Sequence, residues 1–251
     1  MAKNSTVVSG RTMTSPGAIT IPLFTDADET VVHAFGTKAG GVVPAMHKAT
    51  TPFQVVSVKQ VHGIDALVLR GRMTDADVHE AASARSFDAI ISDRPRTWLT
   101  VRTADCVPVL FLGHDRRVIA VAHAGWRGTV GGITEKVIQR MQQVFDCKPE
   151  SVQVAIGPAI GRCCYEVDEP VVEPLKRAFP FWPKALSDAG GGRGHLDLRR
   201  LNRLALERAG VDPSRIFEVN LCTACHPEFF HSYRRDGKAP SHMISGIARV
   251  Q

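Results

Sequence analysis

The sequence predicts an α+β protein whose mixed β-sheets are covered by helices, and three observations predict it. β-branched runs recur between turn signals through the first half of the chain. Two longer apolar runs, "WLTVRTADCVPVLFLG" (98–113) and "RVIAVAHAGW" (117–126), have the Val/Ile/Leu density of strands buried on both faces. Helical periodicity enters late and does not alternate strictly with the strands, which argues against a doubly wound nucleotide fold.

Residues 1–20 are polar and rich in Gly, Pro, Ser and Thr, and read as a loose lead into one domain over 21–251. Strands are expected in "ETVVHAFGT" (29–37), "FQVVSVKQV" (53–61), "DALVLR" (65–70) and "DAIISD" (88–93). The spacing of Ile133, Val137, Met141 and Val144 predicts a helix starting near Thr129. "SVQVAIG" (151–157) is a further strand. "DEPVVEPLKRAF" is helical, with acids early and bases late as the helix dipole prefers. "HLDLRRLNRLALERAG" gives another helix, closing on Gly210. "RIFEVN" and "HMISGIARV" supply the last strands. "AGGGRG" (189–194) reads as a surface loop, because its glycines do not join a strand to a helix start as a dinucleotide fingerprint requires.

Of 251 residues, 44% are hydrophobic and 22% charged, enough for a packed core. A net charge of +6 favours anionic ligands. The cations are scattered and no aromatic platform accompanies them, which argues against nucleic acid. No stretch approaches the roughly 20 apolar residues of a membrane span. The first residues lack the apolar core of a signal peptide, so a cytoplasmic protein with its six cysteines as thiols is expected. "CTACH" (222–226) matches the C-x-x-C-H pattern of covalent haem attachment. The expected compartment and the absence of a haem-sized helical pocket around it argue against haem.

Three segments place a metal-type ligand near the end of a hydrophobic strand: His62 in "KQVHG", Cys106 in "RTADCVP" and His123 in "AVAHAGWRG". Two imidazoles and a thiolate leave a fourth tetrahedral position open, as catalytic zinc sites do. Hydrogen-bonded core histidines with an inert thiol are the competing reading. Around Arg127, the glycines of "HAGWRGTVGG" either present backbone N–H groups to an anion or provide positive φ for a tight turn. In "GPAIGRCCYEV", strand alternation would send Cys163 and Cys164 to opposite faces, against joint ligation. The same alternation leaves Asp105 facing away from whatever Cys106 faces.

Taken in order, "HAFGTKAGGV", "KQVHG", "DAIISD", "RTADCVPVLF", "VAHAGWRGTVGGI", "AIGPAIGRCCYEV", "LDLRRLNRLAL" and "CTACHPEFFHSYRRDG" resemble the YfiH/laccase-domain family over about residues 31–237. Members have been labelled polyphenol oxidase, purine nucleoside phosphorylase and peptidoglycan-editing factor. The resemblance implies a four-layer α/β/β/α sandwich and zinc held by His62, Cys106 and His123. It also implies phosphorolysis of adenosine, inosine, guanosine and methylthioadenosine, with adenosine deamination. Purine nucleosides and inorganic phosphate are then the partners, with Lys38, Arg127 and Arg234 as phosphate-binding candidates. Lys38 stands where the family usually has arginine, which removes a bidentate fork. After "YRRDG" this chain continues "KAPSHMISG" in place of the family's Gly-Arg pair.

Three rivals remain on the sequence. A copper-dependent phenol oxidase is disfavoured because ten histidines include no His-x-His pair. A hydrolase editing peptidoglycan precursors would use Cys106 as nucleophile and a histidine as base. A small-molecule sensor would keep the pocket without turnover.

Overall fold

The computed structural model describes residues 13–15, 17–21, 31–40, 53–113, 115, 117–190, 192–237 and 241–250. The first half contributes strands β1 (Met13–Ser15), β2 (Ala18–Ile19), β3 (Val31–Gly36), β4 (Gln54–Val56) and β5 (Ala66–Leu69). Helix α1 (Asp75–Ala84) precedes β6 (Ala89–Ser92), β7 (Thr97–Thr103), β8 (Val107–Gly113) and β9 (Val118–Ala124). Then come α2 (Trp126–Val130), α3 (Ile133–Phe145), β10 (Val152–Ile156), β11 (Glu166–Val167) and α4 (Glu169–Ala178). β12 (Leu186–Gly190), β13 (Arg193–Leu196), α5 (Leu198–Arg208), β14 (Ile216–Glu218), α6 (Tyr233–Asp236) and β15 (Met243–Arg249) complete the chain.

Two six-stranded sheets result. Sheet I runs β1-β2-β3-β15-β7-β4 and sheet II runs β14-β10-β8-β9-β6-β5. Both are mixed: β4 is parallel to β7, β5 to β6 and β10 to β14, while the other pairs are antiparallel. Both faces of β8 and β9 are covered, so with a side-chain period of two every residue of these strands is buried. Leu110, Leu112, Ile119 and Val121 face sheet I, where they meet Phe35, Leu99, Val101 and Ile247. Val107, Val109, Phe111, Val118 and Ala120 face the other way, into a core shared with Val137 and Met141 of α3, Leu175 of α4 and Leu201 of α5. Truncating one of these fully buried leucines to alanine costs about 2–5 kcal/mol. The α+β class, with mixed sheets under helices, is the fold adopted.

Several boundaries differ from the sequence reading. The apolar run 98–113 is two strands in different sheets, β7 in sheet I and β8 in sheet II, with the crossing at residues 104–106. Hydropathy does not change at a crossing between two buried strands, so the run looks continuous. β4 ends at Val56, and residues 57–65 likewise leave sheet I for sheet II. The helix expected from Thr129 is α2 and α3, broken where Gly132 adopts φ 81°. The 189–194 stretch is the tip of the β12–β13 hairpin, with Gly192 at φ 76°. Within the N-terminal stretch read as loose, Met13–Ser15 pairs with Ala18–Ile19 on the edge of sheet I. No helix among the described residues is long and apolar enough to cross a membrane.

Candidate active site

The two crossings between the sheets each carry one of the candidate side chains to the same end of the sandwich. His62 comes on the 57–65 crossing, Cys106 on the 104–106 crossing, and His123 from the penultimate position of β9. Their ligand atoms lie within 4.8 Å of one another, and the two imidazole rings are 4.8 Å apart at 72°. His123 is buried, Cys106 half-buried and His62 exposed, so the trio opens toward solvent on one side. His62 has φ 60° and Asp105 φ 87°, left-handed conformations held by the packing around the site.

Asp88 organises this end of the molecule. It is fully buried just ahead of β6, and its Oδ1 lies 2.8 Å from His123 Nδ1. The same carboxylate accepts the backbone N–H groups of Val61 (3.1 Å), His62 (2.9 Å) and Gly63 (2.7 Å). One side chain therefore sets the orientation of His123 and fixes the loop that presents His62. Burial pushes the Asp88 carboxyl up, but the bonds from His123, Gly63 and Val61 outweigh it and hold it below the usual range. Burial likewise pushes the Cys106 thiol up, yet His123 and His62 outweigh it and bring it down to about 7. His123 is lowered by burial and raised more strongly by Asp88 and Cys106, reaching about 9. Asp88 was read from sequence only as the start of a strand. An acid leading directly into an otherwise apolar strand was the signal that could have found it.

Among the glycines around Arg127, Gly132 supplies positive φ, while Gly125 and Gly128 serve close approach. Gly125 has φ −72°, so positive φ is not its purpose. A Cβ there would sit 2.9 Å from His62 Cδ2 and 3.0 Å from Cys106 Sγ. A Cβ at Gly128 would meet the Gly63 carbonyl at 2.9 Å. These contacts let α2 close over the 60s loop, and with only five residues α2 offers no helix-terminal anion site.

A cavity of about 750 Å³ opens over the trio, lined also by Arg127, Tyr165, Tyr233 and Arg234. The Arg127 guanidinium lies over the Trp126 ring at 4.3 Å. Arg234 lies over Tyr165 at 5.1 Å and donates to the Glu166 carbonyl. Lys38 does not line this cavity: it is exposed, and its backbone N–H donates to the Phe229 carbonyl. Asp105 faces away from the trio. Its carboxylate accepts Thr223 Oγ1 (2.5 Å), Ser232 Oγ (3.1 Å) and the Arg234 N–H (2.7 Å), anchoring the segment that carries Arg234.

Cys163 and Cys164 depart from the strand reading. Residues 162–164 form a turn, with the Cys164 and Tyr165 N–H groups both donating to the Gly161 carbonyl. Both sulfurs consequently face the same neighbours, Cys222 and Cys225 of the C-x-x-C pair.

The family described as multi-copper polyphenol oxidoreductase laccase matches residues 38–249, and the chain belongs to that family. The purine nucleoside phosphorylase YlmD of Geobacillus stearothermophilus is 37% identical over 196 residues, 77% of this chain and 72% of its own. The adenosine deaminase RL5 of an unidentified prokaryote is 34% identical over 197 residues, 78% of this chain and 75% of its own. The crystal structure of the hypothetical protein YfiH from Bacillus licheniformis superposes with a TM-score of 0.83 at 28% identity, covering 96% of this chain and all of that one. The chain is an enzyme of the kind these named relatives represent.

Proposed function

We propose that the protein is a zinc-dependent purine nucleoside phosphorylase acting on adenosine, inosine, guanosine and methylthioadenosine, with adenosine deamination at the same site. The observation that carries this reading is the meeting of His62, Cys106 and His123 beneath a cavity that also holds Arg127 and Arg234. Relatives named for both activities support the substrate class.

The donor set fits the metal. Asp88 occupies His123 Nδ1 and so leaves Nε2 as the free donor, the usual arrangement behind a metal-ligating histidine. A thiol brought down to about 7 is readily the thiolate that zinc requires. Two nitrogens and one sulfur leave an open fourth position, as catalytic zinc sites do. Zinc bound there supplies Lewis-acid polarisation of a substrate oxygen.

The chain's own residues account for the remainder. Arg127 and Arg234 hold phosphate by charge-assisted hydrogen bonds, each steadied by the ring it lies over. Phosphate held against the anomeric carbon displaces the purine, and its negative charge offsets the positive charge that develops on the sugar. Burial and the neighbouring Cys106 push Tyr165 up to about 12, so it stays a neutral hydrogen-bond donor in the cavity wall. Tyr233 is 61% exposed at the rim, where a purine face can stack on it. Lys38 stays outside the cavity, so of the three expected cations the two arginines carry the phosphate reading.

The test is adenosine incubated with zinc-replete protein, with and without phosphate, and the products separated. Adenine and ribose 1-phosphate appearing only with phosphate support phosphorolysis. Inosine formed without phosphate supports deamination. A His62→Ala variant with full turnover refutes the zinc assignment.

One observation favours a second reading. Cys106 beside His123, with His123 bonded to Asp88, is also a nucleophile–base–orienter chain. It would suit a hydrolase editing peptidoglycan precursors. Chelation separates the two readings: it stops zinc-dependent phosphorolysis and spares thiol catalysis.

A further inference from the structure

The turn after β10 and the segment after β14 bring four sulfurs together outside the cavity. Cys163 and Cys164 lie on the turn, Cys222 and Cys225 on the segment, and all four ligand atoms fall within 4.8 Å of one another. Cys225 Sγ is 3.5 Å from that of Cys163 and 3.4 Å from that of Cys164. Cys163 and Cys225 are exposed and Cys164 is half-buried, so hydrophobic packing does not account for them.

We propose that Cys163, Cys164, Cys222 and Cys225 bind a second metal ion, a tetrahedral zinc that clamps the turn to the segment. The edge of a zinc–thiolate tetrahedron follows from bonds of ~2.3 Å and is ~3.8 Å. The two closest separations, 3.5 and 3.4 Å, fall a few tenths short of that length, and no pair exceeds 4.8 Å. They are too short for the cysteines of an iron–sulfur cube, which enclose a whole cluster. A disulfide would satisfy only two sulfurs and requires them at ~2.0 Å. Here one sulfur, Cys225, is shared between two partners.

The backbone around the cluster is shaped for thiolates. Gly161 N–H donates to Cys222 Sγ at 3.2 Å. A Cβ on Gly161 would lie 3.1 Å from Cys222 Cβ and 3.2 Å from Cys163 Sγ, so only glycine leaves the turn this close. Four protein ligands close the coordination sphere, which marks a structural metal rather than a catalytic one. On binding, the four thiols release their protons to solvent and no electrons move.

A clamp would add to the anchoring that Asp105 gives this segment. From Leu221 to Ser232 it contains no named strand or helix, and Cys222 joins the fold by an isolated parallel bridge to Ala159. Yet this segment and the turn carry Arg234 and Tyr165 to the cavity, and Thr223 and Ser232 to Asp105. The metal would thus hold the phosphate side of the cavity in place without touching substrate.

The experiment is metal content per chain of the full-length protein purified under reducing conditions, followed by cobalt substitution. Wild type is expected to hold two zinc ions. Cys106→Ala should keep one, and its cobalt form should show the charge-transfer intensity of four thiolates. Cys163→Ser/Cys225→Ser should lose that ion and signature while retaining the His–Cys–His ion. A Cys106→Ala protein without metal overturns the proposal. So does wild type in which all four thiols react freely with a thiol reagent, or are found as disulfides by mass spectrometry. Iron in place of zinc overturns the metal assignment. Because Cys106→Ala and wild type decide the matter, a double variant that fails to fold does not remove the test, and neither does a failure of phosphorolysis.

Discussion

The two sulfur-bearing clusters differ in how the chain builds them. His62, Cys106 and His123 stand at the ends of buried strands and at crossings between sheets, braced from beneath by the fully buried Asp88. Cys163, Cys164, Cys222 and Cys225 stand on a turn and an irregular segment, the segment tied to the fold by Asp105 through Thr223 and Ser232. The first offers three ligand-type side chains, with His62 and His123 held by hydrogen bonds to Asp88. The second, on the proposal above, has every position filled by protein and gains further rigidity from the metal it binds. Framework-built and metal-built sites should therefore respond oppositely to the same perturbations.

The largest separation comes from Cys106→Ala. Phosphorolysis is expected to fall about a thousandfold, ~4 kcal/mol of transition-state stabilisation, since a polarising metal supplies several kcal/mol. Metal analysis should show the four-cysteine ion still bound. Next is Asp88→Asn, which keeps the shape but weakens the brace on His123 and the 60s loop. Affinity of the first site for zinc should drop roughly 10–100-fold in a chelator competition, with the second site unchanged. Gly125→Ala should act through space alone: its Cβ crowds His62 and Cys106. Overpacking of about 1–3 kcal/mol, if expressed wholly in binding, translates into roughly 5- to 150-fold in first-site affinity.

The smallest effect is in pH response, and it sharpens the contrast. In metal-free protein the histidines bring Cys106 down to about 7, while burial and the neighbouring Cys225 and Cys222 push Cys163 up to about 11. The thiolate is the reactive form, so iodoacetamide labelling followed by mass spectrometry should show Cys106 rising with a midpoint near pH 7 and Cys163 only in strong alkali. The lowered Cys106 pKa contributes stability above the ordinary thiol value that is lost as pH falls through about 7. His123, raised to about 9, contributes stability below 6.5 that is lost as pH rises through about 9. The two contributions run oppositely with pH and cancel between about 7 and 9, so the pair leaves the metal-free fold nearly pH-independent there.

The same contrast explains what the sequence made legible. His62, Cys106 and His123 were visible because a polar residue at the end of an apolar strand stands out locally, and the family motifs enclose all three. Strands β6, β8 and β9 were visible from their apolar runs. Asp88 was not, because its partners Val61, Gly63 and His123 lie 25 to 35 residues away. The crossing at 104–106 was hidden because both flanking strands are buried. Helix α1 was missed because it buries only Val78 and so lacks an apolar stripe, although Thr74 and Asp77 form a capping box. The four-cysteine cluster was hidden by a wrong local assumption. Alternation separates Cys163 from Cys164 in a strand, but a turn turns both to one side, and their partners lie some 60 residues on.

The most direct measurement compares phosphate-dependent release of adenine from adenosine by Cys106→Ala and by Cys163→Ser/Cys225→Ser, each supplied with zinc. Catalysis at the framework-built site requires that the first release none above background and that the double variant turn over, with a raised KM for phosphate. A Cys106→Ala protein that turns over like wild type, or a folded double variant whose kcat collapses, would contradict that assignment.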